Sequence, residues 1–154
     1  MTRKVMLDTN LLIAAFDKNG TTAAEERQAA ISQLESLLSD SGTQLFITPL
    51  VRYEVLRGIQ WQNQSDFETV KQVLNGFPEL EITRNISELA ASLFRFDIHR
   101  ASQSGERGRN IDKRKFDVFH FCSAHCNGLT LFSRDSDIGK IALLHQEYQA
   151  QLSA

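Results

Sequence analysis

The chain has 154 residues, of which 42% are hydrophobic and 23% charged, and its net charge is −2. That length suits a single domain spanning 1–154 with a core of its own, and the composition excludes a disordered or fibrous chain. The slight negative charge excludes a uniformly basic coat for nucleic acid, and no apolar run reaches the roughly 20 residues that cross a bilayer. The basic start, Met1 to Lys4, meets Asp8 too early for a signal peptide. The expected location is the cytoplasm, with no membrane partner.

Val5-Met6-Leu7 is a short apolar run and reads as a buried strand ending at Asp8. Leu11 to Phe16 fits a short helix, which Asn10 or Asp8 can cap. Thr22 with Glu25 has the spacing of a capping box for a second helix. Leu45-Phe46-Ile47 is a second strand, and Thr48-Pro49 is a cap followed by proline at the first helical position, with the helix running to Gly58. Ser65 with Glu68 opens another helix, and Leu80-Glu81-Ile82 is a third strand. Asn85 or Ser87 opens a long helix, and 101–110 reads as a loop rich in Gly, Ser and Arg. A helix capped by Asp112 follows and ends at Asn127-Gly128, Leu129 to Phe132 is a fourth strand, and a last helix follows Ile138. Cys122 and Cys126, four apart on one helix, read as a pair of small buried hydrophobes. Strands separated by helices imply right-handed βαβ units and a parallel sheet, in which ligands bind beyond the carboxyl ends of the strands.

That rule gives the acids their meaning. Asp8 directly follows the first strand, and Asp135 and Asp137 follow the fourth. Glu54 lies in a helix among the apolar Val51, Val55 and Leu56. Asp117 shares an inward helix face with Phe121 and Ala124. Buried carboxylates need a pairing charge, a proton or a metal, and no buried lysine or arginine stands beside each of them in the pattern. Each acid alone also has a local reading: Asp8 and Asp137 as helix caps, Asp117 as a partner of its helix dipole. Together they suit a hard divalent cation, magnesium or manganese, which keeps waters and takes phosphate oxygens.

The motifs resemble those of PIN domains, in particular toxins of the VapC type. Val5-Met6-Leu7-Asp8-Thr9-Asn10 resembles their opening motif, and Pro49 to Gly58, with Glu54, resembles the second. Asp117 followed by Ala124 resembles the third, and Ser133-Arg134-Asp135-Ser136-Asp137 the fourth. Ser133 stands where the family usually has threonine, and Ile138 where it has an aromatic residue. The resemblance implies a three-layer α/β/α fold around a mostly parallel sheet of four or five strands, and a magnesium- or manganese-dependent endoribonuclease. It implies Asp8, Glu54, Asp117 and Asp135 as catalytic metal ligands supported by Asp137. It also implies RNA as substrate, a cognate antitoxin protein as partner, and a homodimer. Thr9, Asn10 and Ser133 are placed to hydrogen-bond the ligand carboxylates, or else to cap local turns.

Two other classes compete with this one. A haloacid-dehalogenase-like phosphatase needs a second aspartate where Asn10 stands, and a receiver needs adjacent acids before a strand and a lysine after a late strand, a pattern not found in this chain. A PIN-like RNA-processing nuclease outside any toxin pair, or a PIN-like module without activity, shares the motifs; the filled acidic positions favour activity.

The segment from Arg100 to Lys115 carries a net +4, leaving −6 for the remainder. It reads either as a solvated loop or as an arm for phosphates, with Arg107, Arg109, Lys113 and Arg114 as the contacts. Replacing Arg107 and Arg109 together by Ala is expected to weaken RNA binding and to flatten its dependence on salt. Binding measured across a salt series checks this, and an unchanged slope rejects the arm.

Overall fold

Val5, Met6 and Leu7 have no solvent exposure, so consecutive side chains on opposite faces of one strand are all buried. They form the end of β1 (Arg3–Leu7), the central strand of a parallel sheet with the order β2-β1-β3. The computed structural model describes residues 2–17, 22–105, 111–134 and 137–153. These fall into two compact units, Met1–Glu81 with Leu129–Arg134, and Ile82–Gly128 with Asp135–Ala154.

The first unit holds the sheet. β2 (Thr43–Phe46) pairs with β1 from Arg3 opposite Thr43 to Met6 opposite Phe46, and β3 (Thr130–Phe132) pairs from Val5 opposite Thr130 to Leu7 opposite Phe132. Parallel pairing brings all three carboxyl ends to one edge. The expected strand at 80–82 is a single parallel bridge, Ile47 with Glu79, flanked by Ile47 N–H to Pro78 O and Leu80 N–H to Ile47 O. Among the described residues four helices complete the unit: α1 (Thr9–Phe16), α2 (Ala24–Ser39), α3 (Pro49–Arg57) and α4 (Gln64–Leu74). Thr48, fully buried, caps α3 by accepting from Val51 N–H at 3.2 Å, with Pro49 at the first helical position as expected.

The second unit is helical: α5 (Arg84–Ser104), α6 (Ile111–Cys126) and α7 (Asp137–Ser153). Ile86, Ala90 and Leu93 line one face of α5 at helical spacing. They pack with Val118 and Cys122 of α6 and with Ile141 and Leu144 of α7. Thus the tail after Ile138 is helix, as the sequence predicts. Among the described residues no helix is long and apolar enough to cross a membrane.

Four local expectations are corrected. Thr22 does not form a capping box: α2 starts two residues later, and the Thr22 hydroxyl and N–H both donate to the Asp17 carboxylate at 2.6 and 3.0 Å. α5 is capped by Thr83, which accepts from Ile86 N–H at 3.3 Å, rather than by Asn85 or Ser87. It also continues through 101–104, because Ala101 is buried and the Ser102 and Ser104 hydroxyls bond back to helix carbonyls. It stops at Gly105, whose φ of 73° is the left-handed conformation glycine adopts freely. Of the cysteines, only Cys122 is buried; Cys126 is the last residue of α6 and is exposed. Burial pushes the Cys122 thiol up to about 12.

His145 of α7 is 6% exposed and meets Phe121 and His125 of α6, with ring centroids 5.3 and 4.5 Å apart. Burial and the neighbouring His125 hold its pKa below the ordinary 6.5. The unfolded chain therefore binds a proton that the folded one resists, and stability falls as pH drops through 6.5 toward the depressed value. The urea midpoint is expected to decline between about pH 7 and pH 5. His145→Phe should remove part of that decline; an identical pH slope in the variant would rule out His145 as its source.

Candidate active site

Register brings the first acid to its place. Leu7 and Phe132 are paired on neighbouring strands, so the next residues, Asp8 and Ser133, emerge side by side at the carboxyl edge. The Asp8 N–H closes the ladder onto Phe132 O at 3.0 Å. Asp8 is 2% exposed. It occupies the cap position of α1, yet its carboxylate makes no capping bond to the helix. The local reading of Asp8 as a helix cap is thereby removed. Instead Asp8 Oδ2 accepts from the Ser133 hydroxyl at 2.6 Å.

Ser133 also lies 3.1 Å from Asn10 Oδ1, but a hydroxyl has one proton to give. The shorter contact to the charged acceptor takes it. Asn10, in the first turn of α1, is held by Arg134 N–H at 3.3 Å, so its side chain ties the residues after β3 to α1 rather than capping that helix. Thr9 donates its hydroxyl to Glu54 Oε1 at 3.1 Å. Thr9, Asn10 and Ser133 thus all support this edge, and two of them bond the candidate ligands Glu54 and Asp8 directly.

Glu54 projects from α3 with its side chain 13% exposed, and Arg57, one turn on, stands 4.0 Å from its second oxygen. Among the described residues no lysine, arginine or histidine forms an ion pair with Asp8. Its negative charge is buried against a neutral hydroxyl.

Asp117 and Asp137 belong to the helical unit. Asp117 is the seventh residue of α6, beyond the first turn where a carboxylate gains from the helix dipole, and its side chain is 9% exposed. Asp137 is the first residue of α7. Lys113 Nζ bonds Asp137 Oδ2 at 2.6 Å and stands 3.7 Å from Asp117 Oδ2; Lys140 adds a contact of 3.1 Å to Asp137. These two lysines hold the Asp137 carboxyl below the usual carboxylate range. The expectation concerned buried bases; Asp117, Asp137 and Glu54 instead meet solvent-exposed ones, Lys113, Lys140 and Arg57, which come mostly from the same helix.

The proposed phosphate contacts divide. Lys113 is engaged by the acids, and Arg114, 16% exposed, turns to the buried Asp97 at 3.8 Å, which Arg100 also meets at 3.7 Å. Asp97 was not singled out in the sequence, although its place on the α5 face at i+4 from Leu93 marks it as an inward charge. Asp135, Arg107 and Arg109 lie outside the described residues.

All the acidic candidates offer hard oxygen donors. That donor chemistry fits magnesium or manganese. The uncompensated buried Asp8 adds the electrostatic reason for a cation. Among the described residues neither unit gathers three His, Cys, Asp or Glu groups into a metal-binding set of its own.

Several solved structures share this fold. VapBC2 from Rickettsia felis, bound to a DNA fragment from its promoter, is 16% identical with a TM-score of 0.56, over 86% of this chain and 87% of that one. A toxin–antitoxin complex from Klebsiella pneumoniae is 20% identical with a TM-score of 0.56, at the same coverage. VapC20 from Mycobacterium tuberculosis, a toxin that cleaves the sarcin–ricin loop, is 11% identical with a TM-score of 0.59, over 88% and 93%. Comparison with curated protein sequences finds no match. The PIN domain family model matches residues 5–144, from the strand that delivers Asp8 to the middle of the last helix. With its motifs in family order on a parallel α/β frame, the chain belongs to the PIN-domain family.

Proposed function

We propose that the protein is a metal-dependent endoribonuclease, the toxin of a toxin–antitoxin pair, which hydrolyses RNA phosphodiesters. Its site comprises Asp8, Glu54, Asp117 and Asp135 as ligands of magnesium or manganese, with Asp137 in support. The observation that carries this reading is Asp8: a buried carboxylate at the carboxyl end of the central strand, excused from capping and lacking a counter-cation among the described residues. A bound divalent cation supplies Lewis-acid chemistry, polarising a phosphoryl oxygen and acidifying water beside it. Ser133 aims Asp8 by donating to Oδ2, which leaves the other carboxylate oxygen for a ligand. Thr9 orients Glu54 by donating its hydroxyl to Oε1. Water attacks the phosphorus in line, and the products are expected to carry 5′-phosphate and 3′-hydroxyl ends. Selection of RNA then depends on shape and sugar contacts, since the 2′-hydroxyl is not the nucleophile.

The toxin assignment and its antitoxin partner draw support from the fold shared with toxin–antitoxin complexes; a homodimer and a cytoplasmic location belong to the same proposal. The charge reading of Asp8 favours an active enzyme over a PIN-like module without activity.

The test is cleavage of RNA in magnesium by purified wild-type and variant chains. Asp8→Asn is expected to lower the rate by at least on the order of 100-fold while retaining the wild-type unfolding midpoint. Ser133→Ala should fall between the two, because Asp8 is kept but its orienting bond is lost. Full cleavage by Asp8→Asn rejects the proposal.

A further inference from the structure

We propose that Lys113 is the resident counter-cation of the metal-free site: its ammonium holds Asp117 and Asp137 together, and a divalent cation must displace it to bind. The proposal rests on the nuclease reading above, in which both acids serve the metal.

The geometry is specific. Lys113 Nζ reaches Asp137 Oδ2 at 2.6 Å, across 24 residues of sequence, and lies 3.7 Å from Asp117 Oδ2. Asp117 is almost wholly buried, so its charge needs compensation when no metal is present. Helix electrostatics do not account for a lysine here. Lys113 stands in the first turn of α6, where the dipole disfavours a cation, and the order Lys then Asp at i,i+4 is the weaker orientation of such a pair. The tertiary partner Asp137 supplies what the helix does not.

Lysine is also the base suited to leave. Its ammonium is a compact point charge on a flexible stem, without the planar fork that locks arginine to a carboxylate. With 37% of its side chain exposed, Lys113 has solvent to swing into. Because ammonium and metal compete for the same oxygens, the apparent metal affinity is the intrinsic one reduced by the fraction of molecules whose acids are released.

The experiment is manganese titration of the full chain by calorimetry, together with thermal unfolding with and without manganese, for wild type, K113M, K113R, K115M and D8N. K113M is expected to melt below wild type without metal, to bind manganese about 3- to 10-fold more tightly, and to gain more from it in Tm. K115M makes the same charge change at an exposed lysine paired with Asp112, and should match wild type. K113R keeps the charge on a better carboxylate clamp and should bind manganese more weakly than wild type, which tests the proposal even if K113M fails to fold. Wild-type manganese affinity in K113M or in K113R overturns the proposal, as does an equal gain in K115M. Manganese binding that is undetectable, or unaffected by D8N, overturns the nuclease reading and this inference with it. D8N weakened with K113M unchanged sinks the lysine alone.

Discussion

One backbone register governs the first half of the site. Because β1 and β3 run parallel with Leu7 opposite Phe132, the next residue of each strand reaches the same edge at the same height. A shift by one residue would turn Asp8 or Ser133 to the other face of the sheet. The fully buried run of Val5, Met6 and Leu7 holds that register, since slipping it would bring polar neighbours into the interior. A buried anion is thus fixed beside a hydroxyl and beyond reach of the α1 backbone, and the hydrophobic effect carries the cost of holding it there.

The helices then refine what the sheet presents. Thr48 and Pro49 start α3 at a fixed point after β2, and this start sets Glu54 in its second turn, within reach of the Thr9 hydroxyl. The hydrogen bonds from Thr9 and Ser133 each occupy one oxygen of a carboxylate. Such bonds fix the orientation of the group, which a hard cation requires of its ligands. In the helical unit the same task falls to charge rather than hydroxyls. Lys113 and Lys140 attend Asp137, and Lys113 reaches Asp117. The acids are therefore treated differently: among the described residues Asp8 is held by a hydroxyl and no base, whereas Asp137 and Asp117 meet lysines of their own unit.

The basic stretch before Asp117 illustrates how little composition alone decides. Counted as charge, 100–115 looks like one continuous patch. In the structure its members have separate duties: Arg100 pairs with Glu147 and Asp97, Arg114 faces Asp97, Lys113 serves Asp137 and Asp117, and Lys115 pairs with Asp112 on the surface. Much of this positive charge is balanced inside the helical unit, partly by acids within one helical turn and partly by Asp137 and Glu147 far off in sequence.

The amino-acid sequence determined the parallel α/β class, the order of elements, the Thr48-Pro49 start of α3, the Gly128 stop of α6 and the identity of the acidic candidates. Those follow from local rules: apolar runs, helical spacing, caps and turns act over a few residues and leave a readable pattern. Only the tertiary structure decided that Asp8 does not cap its helix, that Ser133 bonds Asp8 rather than a local turn, that the strand at 80–82 contracts to one bridge, and that Lys113 meets Asp137. Each of these depends on partners 24 to 125 residues away, or on which of several nearby groups wins a single proton. Competition of that kind is settled by packing and distance, and neither is written in the spacing of residues along a chain.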